Sequence, residues 1–273
     1  MGAAMKKGGP LTMTRSLWAY RGFIAGMVAR DFRSRYLQSL LGAFWAVAVP
    51  LLTIVIYTLI FSEVMSARLQ GSSDRLAYSL FLMAGLFPWT LFIETVTRCQ
   101  TVFVEQGALI KKAAFPRSSL PVASALSAAV NFSILFALFL LMLAFSGRWP
   151  GAALLAYIPL LIVQQALAVG LGVLLGTMHV FFRDTGHFTG VALQFWFWLT
   201  PIVYPAAIVP ASIGRALGLN PMVNLSTTYQ EIVLRNAWPT WASLWPVAVL
   251  AALSLAAGYA AFRNLSSELV DQL

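Results

Sequence analysis

Charge is scarce in this sequence: Asp, Glu, Lys and Arg make up only 10% of its 273 residues. Soluble domains carry about 25%. With 60% apolar residues and a mean hydropathy of +0.80, a soluble globular fold is excluded. A folded chain of this size still exposes roughly a quarter of its surface, and there is too little polar surface to cover it. Disorder is excluded as well, because it needs low hydrophobicity. The single cysteine, Cys99, excludes a disulfide scaffold. Two histidines and nine scattered acids form no metal-ligand cluster. Neither a G-x-x-x-x-G-K-[ST] run nor an H-E-x-x-H occurs, so the chain carries no Walker-type ATP site and no zinc-protease motif. Acids and histidines are missing from the middle of the long apolar stretches, which argues against a proton or sodium carrier and against a membrane enzyme using such groups.

What is abundant is long apolar sequence. The intervals between charges predict an all-α polytopic membrane protein with six spans, near residues 37–62, 76–103, 118–146, 152–181, 187–204 and 240–263. Residues 1–13 read as a flexible tail and 266–273 as a short C-terminus. More than thirty mixed, basic residues precede the first apolar run, unlike a cleavable signal peptide. If the N-terminus is cytoplasmic, five of the 18 basic residues fall outside (Arg68, Arg75, Arg148, Arg215 and Arg235) and thirteen inside. That asymmetry predicts both termini in the cytoplasm. The net charge of +9 is then mostly a topology signal, and nucleic acid is not needed to explain it.

Four segments are not plain spans. Over residues 14–36, Leu17, Tyr20, Ile24, Met27 and Val28 share about a third of a helical wheel, with Arg15, Arg30, Arg33 and Arg35 flanking. This predicts an amphipathic helix at the membrane surface. Asp31 and Arg35 fall back onto the apolar stripe, which is clean only in its first half. The helix reads either as a lipid anchor alone or as an anchor that also offers its basic end to a cytoplasmic partner. Residues 98–117, with Glu105, Lys111 and Lys112, read as a basic inner loop, helix-compatible until Phe115-Pro116. Val180-Phe181-Phe182-Arg183-Asp184 reads as a tight inner turn with interfacial aromatics and a capping Asp184, beside His179 and His187. Residues 205–238 hold several prolines and apolar runs too short to cross the membrane, and predict short half-helices that re-enter the outer leaflet. Glu94 and Arg98, spaced i,i+4, sit near an inner helix end, where they can pair or snorkel.

Aromatic residues cluster in spans one, two and five: Trp45, Tyr57, Phe87-Pro88-Trp89 and Phe195-Trp196-Phe197-Trp198, then Tyr204. Interfacial belts account for many of them. Trp196, Thr200 and Tyr204 also share one face at i,i+4 spacing, as a lining for stacking uncharged sugar rings would require.

These residues resemble the transmembrane subunit of polysaccharide-exporting ATP-binding-cassette transporters, the O-antigen and capsule group. The resemblance runs through Tyr57-Thr58-Leu59-Ile60-Phe61-Ser62, Gly85-Leu86-Phe87-Pro88-Trp89, Gly176-Thr177 with Val180 to Asp184, Thr200-Pro201-Ile202-Val203-Tyr204 and Asn220-Pro221-Met222. It covers about residues 16–265 and departs at His179, where the family often has Asn. It implies a homodimer in the bacterial inner membrane with a channel between the copies and two ATPase subunits below. ATP and magnesium are then held by those partners, and no cofactor by this chain. Lipid-linked polysaccharide is the implied cargo, with membrane lipids around the chain and an envelope-spanning periplasmic adaptor as a further candidate partner. The implied contacts to the ATPase are Arg30, Asp31, Arg33, Arg35, Glu105, Lys111, Lys112, Arg183 and Asp184. The implied channel lining is Trp45, Tyr57, Phe87, Trp89, Trp196, Trp198 and Tyr204. An exporter of teichoic acid, lipid or drug is the rival within transport, and a glycan-lipid transferase is the rival outside it.

Overall fold

The computed structural model describes residues 10–36, 42–64, 76–112, 115–210 and 217–265, together with 214, 268 and 272. The tail up to residue 9, the start of the first span at 37–41, residues 213, 215 and 216 of the expected half-helix near 213–219 and most of 266–273 lie outside the described residues, as do the side chains of Phe61 and Lys112.

Apolar runs of this length have no water to satisfy their peptide groups, so they close their hydrogen bonds within the segment. Every strand or helix among the described residues is accordingly helical. In chain order these are α1 (Pro10–Ala19), α2 (Arg21–Tyr36), α3 (Gly42–Val64), α4 (Ala77–Glu105), α5 (Gly107–Lys112), α6 (Ser119–Phe145), α7 (Tyr157–Phe181), α8 (Thr185–Trp198), α9 (Pro221–Arg235) and α10 (Trp245–Leu265). Short 3₁₀ turns at Gly151–Ala156 and Trp241–Leu244 lead into α7 and α10.

Among the described residues, four helices, counted with those lead-in turns, are long and apolar enough to cross a membrane: Ala77–Glu105, Ser119–Phe145, Gly151–Phe181 and Trp241–Leu265. In α3, the apolar stretch with described side chains is Phe44–Ile60. The expected span at 187–204 differs from the helix observed. With 14 residues, α8 reaches about 21 Å, short of a hydrocarbon core of about 30 Å. It stops at Trp198 and the chain turns through Thr200 and Pro201. Proline supplies no N–H and disfavours helix at the residue before it. The single helix expected over 14–36 is divided at Tyr20, although Tyr20 N and Ile24 N still donate to Ser16 O and Tyr20 O, each at 3.0 Å.

The centre of the bundle is α4, which packs against α3, α6, α7, α8 and α9. Its apolar window is 72% buried, against 22–33% in the other three long helices, so those keep broad apolar faces outward. Apolar burial gives helices little reason to associate inside lipid; close approach and polar contacts do that work. The crossing of α7 with α10 is the tightest case. A Cβ at Gly170 would lie 2.4 Å from Leu255 N, and one at Gly258 would lie 2.5 Å from Gly170 O. Within α4, Pro88 is tolerated, and Gln164 Nε2 of α7 donates to Pro88 O at 2.6 Å.

The two ends of the bundle differ. At one end Val102, Phe103, Ile110 and Leu120 form an apolar cluster against Met27 of α2, Phe115, Val180 of α7 and Phe262 of α10. Phe115-Pro116 lies outside any helix, as its sequence requires. At the opposite end α9 packs on the two lead-in turns. There Asn236 ends α9 in the left-handed region, φ 51°, beside Gly151. Arg30, Arg33, Arg35, Arg98, Lys111, Arg117, Arg183 and Arg263 gather at the first end, and Arg148 and Arg235 at the second.

Candidate functional site

Two constellations of side chains stand out. The first joins α2 to α4. Arg98 donates from Nε to Glu94 Oε1 at 2.8 Å and from Nη1 to Asp31 Oδ2 at 3.1 Å. Arg35 reaches Glu94 Oε1 at 3.5 Å and Asp31 Oδ2 at 3.7 Å. From α6, Asn131 Nδ2 donates to the same Glu94 oxygen at 2.7 Å. Two cations and two carboxylates thus alternate, with the Arg98 side chain only 15% exposed. Beside them lies an open cavity of about 770 Å³ between α3, α4 and α6, with Trp45, Pro50 and Phe132 on its apolar side and Glu94, Arg98 and Asn131 on its polar side.

The second constellation sits where α8 ends against α9. Asn220 caps α9: its Oδ1 accepts from Met222 N at 3.0 Å and from Trp196 Nε1 at 2.8 Å. Its Nδ2 donates to Leu199 O at 3.0 Å and to Thr200 Oγ1 at 3.1 Å. One side chain thereby ties the end of α8 to the start of α9. The Asn-Pro pair was a readable capping signal, since Asn is favoured at the N-cap and Pro at the first helical position. Nearby, Tyr204 O–H donates to Trp198 O at 2.8 Å, Tyr78 O–H to Val203 O, and Gln230 Nε2 to Pro201 O at 2.9 Å.

The residues expected to line a conduit do not stand together. Phe87 and Trp89 are packed inside the chain, at 1% and 3% exposure. Trp89 meets Trp196 edge-on with centroids 6.2 Å apart, and Phe92 and Phe197 complete the cluster. With their faces covered, Phe87 and Trp89 are core residues of α4 in this arrangement. Trp196 and Tyr57 are half-buried, and so is Tyr204. Trp45 and Trp198 remain open, at 44% and 56% exposure.

The residues expected to meet a partner also divide. Asp31 and Arg35 are turned to α4. Arg30, Arg33, Glu105, Lys111, Arg183 and Asp184 are exposed at the same end of the bundle. The capping role expected of Asp184 is not found: it precedes α8, but its side chain makes no capping hydrogen bond. His187 is exposed, while the ring of His179 lies over Gly186, where a Cβ would sit 3.1 Å from Cε1. Among the described residues, no three His, Cys, Asp or Glu side chains group as a metal site.

An all-helical bundle with broad outward apolar faces, a polar clasp at one end and a charged collar at the other is a multi-pass membrane protein. Comparison with known proteins makes the class specific. A family model described as ABC-2 type transporter matches residues 24–232, and the chain belongs to that membrane family. It is 28% identical to the O-antigen export system permease protein RfbA of Myxococcus xanthus, over 96% of this chain and 100% of that one. It is 29% identical to the protein of the same name in Klebsiella pneumoniae, over 76% of this chain and 78% of that one. It is 21% identical to the polysialic acid transport protein KpsM of Escherichia coli, over 88% and 92%.

Proposed function

We propose that this chain is the channel-forming permease subunit of an ATP-driven exporter that moves lipid-linked polysaccharide, of the O-antigen or capsule type, across the bacterial inner membrane. The observation that carries the reading is the end-to-end similarity to a permease named for O-antigen export. Family membership brings an ATP-binding-cassette partner with it. ATP and magnesium belong on that partner, since this sequence has no Walker run.

In this reading α3, α4, α6, α7 and α10 cross the membrane as helices, α8 completes the fifth crossing only together with the turn that follows it through Tyr204, α2 lies at the inner surface, and α9 with the turns around it re-enters from the periplasmic side. Both termini are cytoplasmic, and the gathering of Arg and Lys at the α2 end supports that orientation. Two copies and two ATPases form the transporter. The outward faces of α3 (Phe44, Leu52, Leu59) and α8 (Phe188, Phe195, Trp198) supply the surfaces between copies and toward the conduit. Within it, Trp45, Tyr57, Trp196, Trp198 and Tyr204 offer weak, repeated stacking. Contacts loose enough to release each unit favour stepwise movement of a long chain. Arg30, Arg33, Glu105, Lys111, Lys112, Arg183 and Asp184 form the docking face for the ATPase.

Deletion of the gene tests this. Cells lacking the chain should accumulate lipid-linked polysaccharide on the cytoplasmic face while surface polysaccharide is lost. Unchanged surface polysaccharide with a stable, full-length cargo pool would reject the proposal. Accumulation of a teichoic acid or lipid instead would reassign the cargo.

A further inference from the structure

The apolar stripe of α2 is interrupted by Asp31 and Arg35, and an anchor that served only to float on lipid has no use for charges there. The structure gives them a use. Ile24 is the one buried side chain among the described residues of α2, and Met27 follows it onto the apolar cluster at the ends of α4 and α6. One and two turns further on, the same face presents Asp31 and Arg35 to Arg98 and Glu94 of α4. The opposite face carries Arg30 and Arg33, both exposed.

We infer that Asp31, Arg35, Glu94 and Arg98 form an ionic strut that carries the displacement of α2 into α4, the helix at the centre of the bundle. This rests on reading the chain as the partner of an ATPase. The outward face of α2 receives the stroke, and the inward face passes it on through paired charges. Such a cluster is not there for stability. Exposed pairs contribute about 0–1 kcal/mol, and buried ones often lose to apolar residues of similar volume. What alternating, partly buried charges do supply is register, because sliding α2 along α4 would set like charges against each other. The strut also sits at the right level. At 29 residues α4 is about 43 Å long, so it exceeds the hydrocarbon core by about 13 Å. Glu94 and Arg98 lie about 16 and 10 Å from its C-terminal end, near the membrane boundary where α2 lies. Asn131 of α6 extends the strut to a third helix through its 2.7 Å hydrogen bond to Glu94.

The test uses the complete transporter with its ATPase in lipid vesicles and reads export per ATP hydrolysed. Asp31→Asn and Arg98→Gln should each leave assembly and basal ATP turnover near wild type and lower export per ATP about tenfold. The double variant should be no worse than either single one, because both break the same link. Unchanged export per ATP in assembled Asp31→Asn complexes would overturn the strut alone. A wild-type complex that does not couple ATP to glycan export would overturn the functional reading, and the strut with it. A second measurement needs neither assembly of those variants nor export. With spin labels at Ser34→Cys and Val104→Cys, both exposed, the distance between α2 and α4 should change by less than about 2 Å between nucleotide-free and ATP-bound states. A larger separation would overturn the strut.

Discussion

Adding one methyl group at Gly170 should loosen the whole bundle. The new Cβ would lie 2.4 Å from Leu255 N and from Ser254 C, and 2.5 Å from Ser254 Oγ. Ordinary contacts lie at about 3.5–4.0 Å, so α7 and α10 must part by about 1 Å or more. Overpacking of this kind costs about 1–3 kcal/mol. Separation also weakens the Ser254 Oγ–H bond to Leu167 O, 3.4 Å long, a loss of about 1 kcal/mol. Alanine in place of glycine inside a helix returns up to about 1 kcal/mol. The net loss for Gly170→Ala is therefore about 2 kcal/mol, roughly a thirtyfold fall in the ratio of folded to unfolded protein. Gly190→Ala is the matched control, since nothing lies within 4 Å of the added Cβ there. Reversible unfolding in mixed micelles, followed by helicity, measures both. Gly170→Ala as stable as Gly190→Ala would refute the view that this crossing is held by backbone-to-backbone approach.

Asn220→Ala removes the cap of α9 and the bonds to Trp196, Leu199 and Thr200 together, so a loss of about 2 kcal/mol is expected, measured by the same unfolding assay. Wild-type stability would show the clasp to be dispensable. Trp89→Ala empties a buried site and should destabilise the chain by about 3–5 kcal/mol. Trp198→Ala should leave the melting curve within about 0.5 kcal/mol of wild type and reduce polysaccharide export. The reverse pattern would move the conduit from α8 to α4. Reversing Arg33 and Lys111 to Glu should weaken co-purification with the ATPase and abolish stimulated turnover; full retention of both would remove these residues from the docking face.

The long helices were legible because a membrane span is a statement about composition, and charges bracket it. The intervals at 76–103 and 118–146 end within two residues of Ala77–Glu105 and Ser119–Phe145. The interval at 187–204 failed because hydropathy does not sense a proline turn: it stays high through Leu199 to Tyr204 while the helix stops at Trp198. Glu94 and Arg98 were readable as a pair, but their contacts with Arg35 and Asp31 join residues 59 and 67 positions apart. Only the flaw in the α2 stripe hinted at it. The aromatic residues were the least legible part of the site. Sequence places Trp89 and Trp198 in the same class, and packing alone separates a ring enclosed by Phe92, Trp196 and Phe197 from one that faces outward.

The central claim is that this chain moves polysaccharide only when an ATPase drives it. The most direct measurement is translocation in vesicles containing the chain and its ATPase, with lipid-linked glycan on the outer leaflet and a lectin sealed inside. Glycan should reach the lectin with ATP present and the ATPase outward. No signal should appear without ATP or with a hydrolysis-deficient partner. Glycan arriving equally without ATP, or no ATP-dependent arrival from a correctly assembled complex, would contradict the claim.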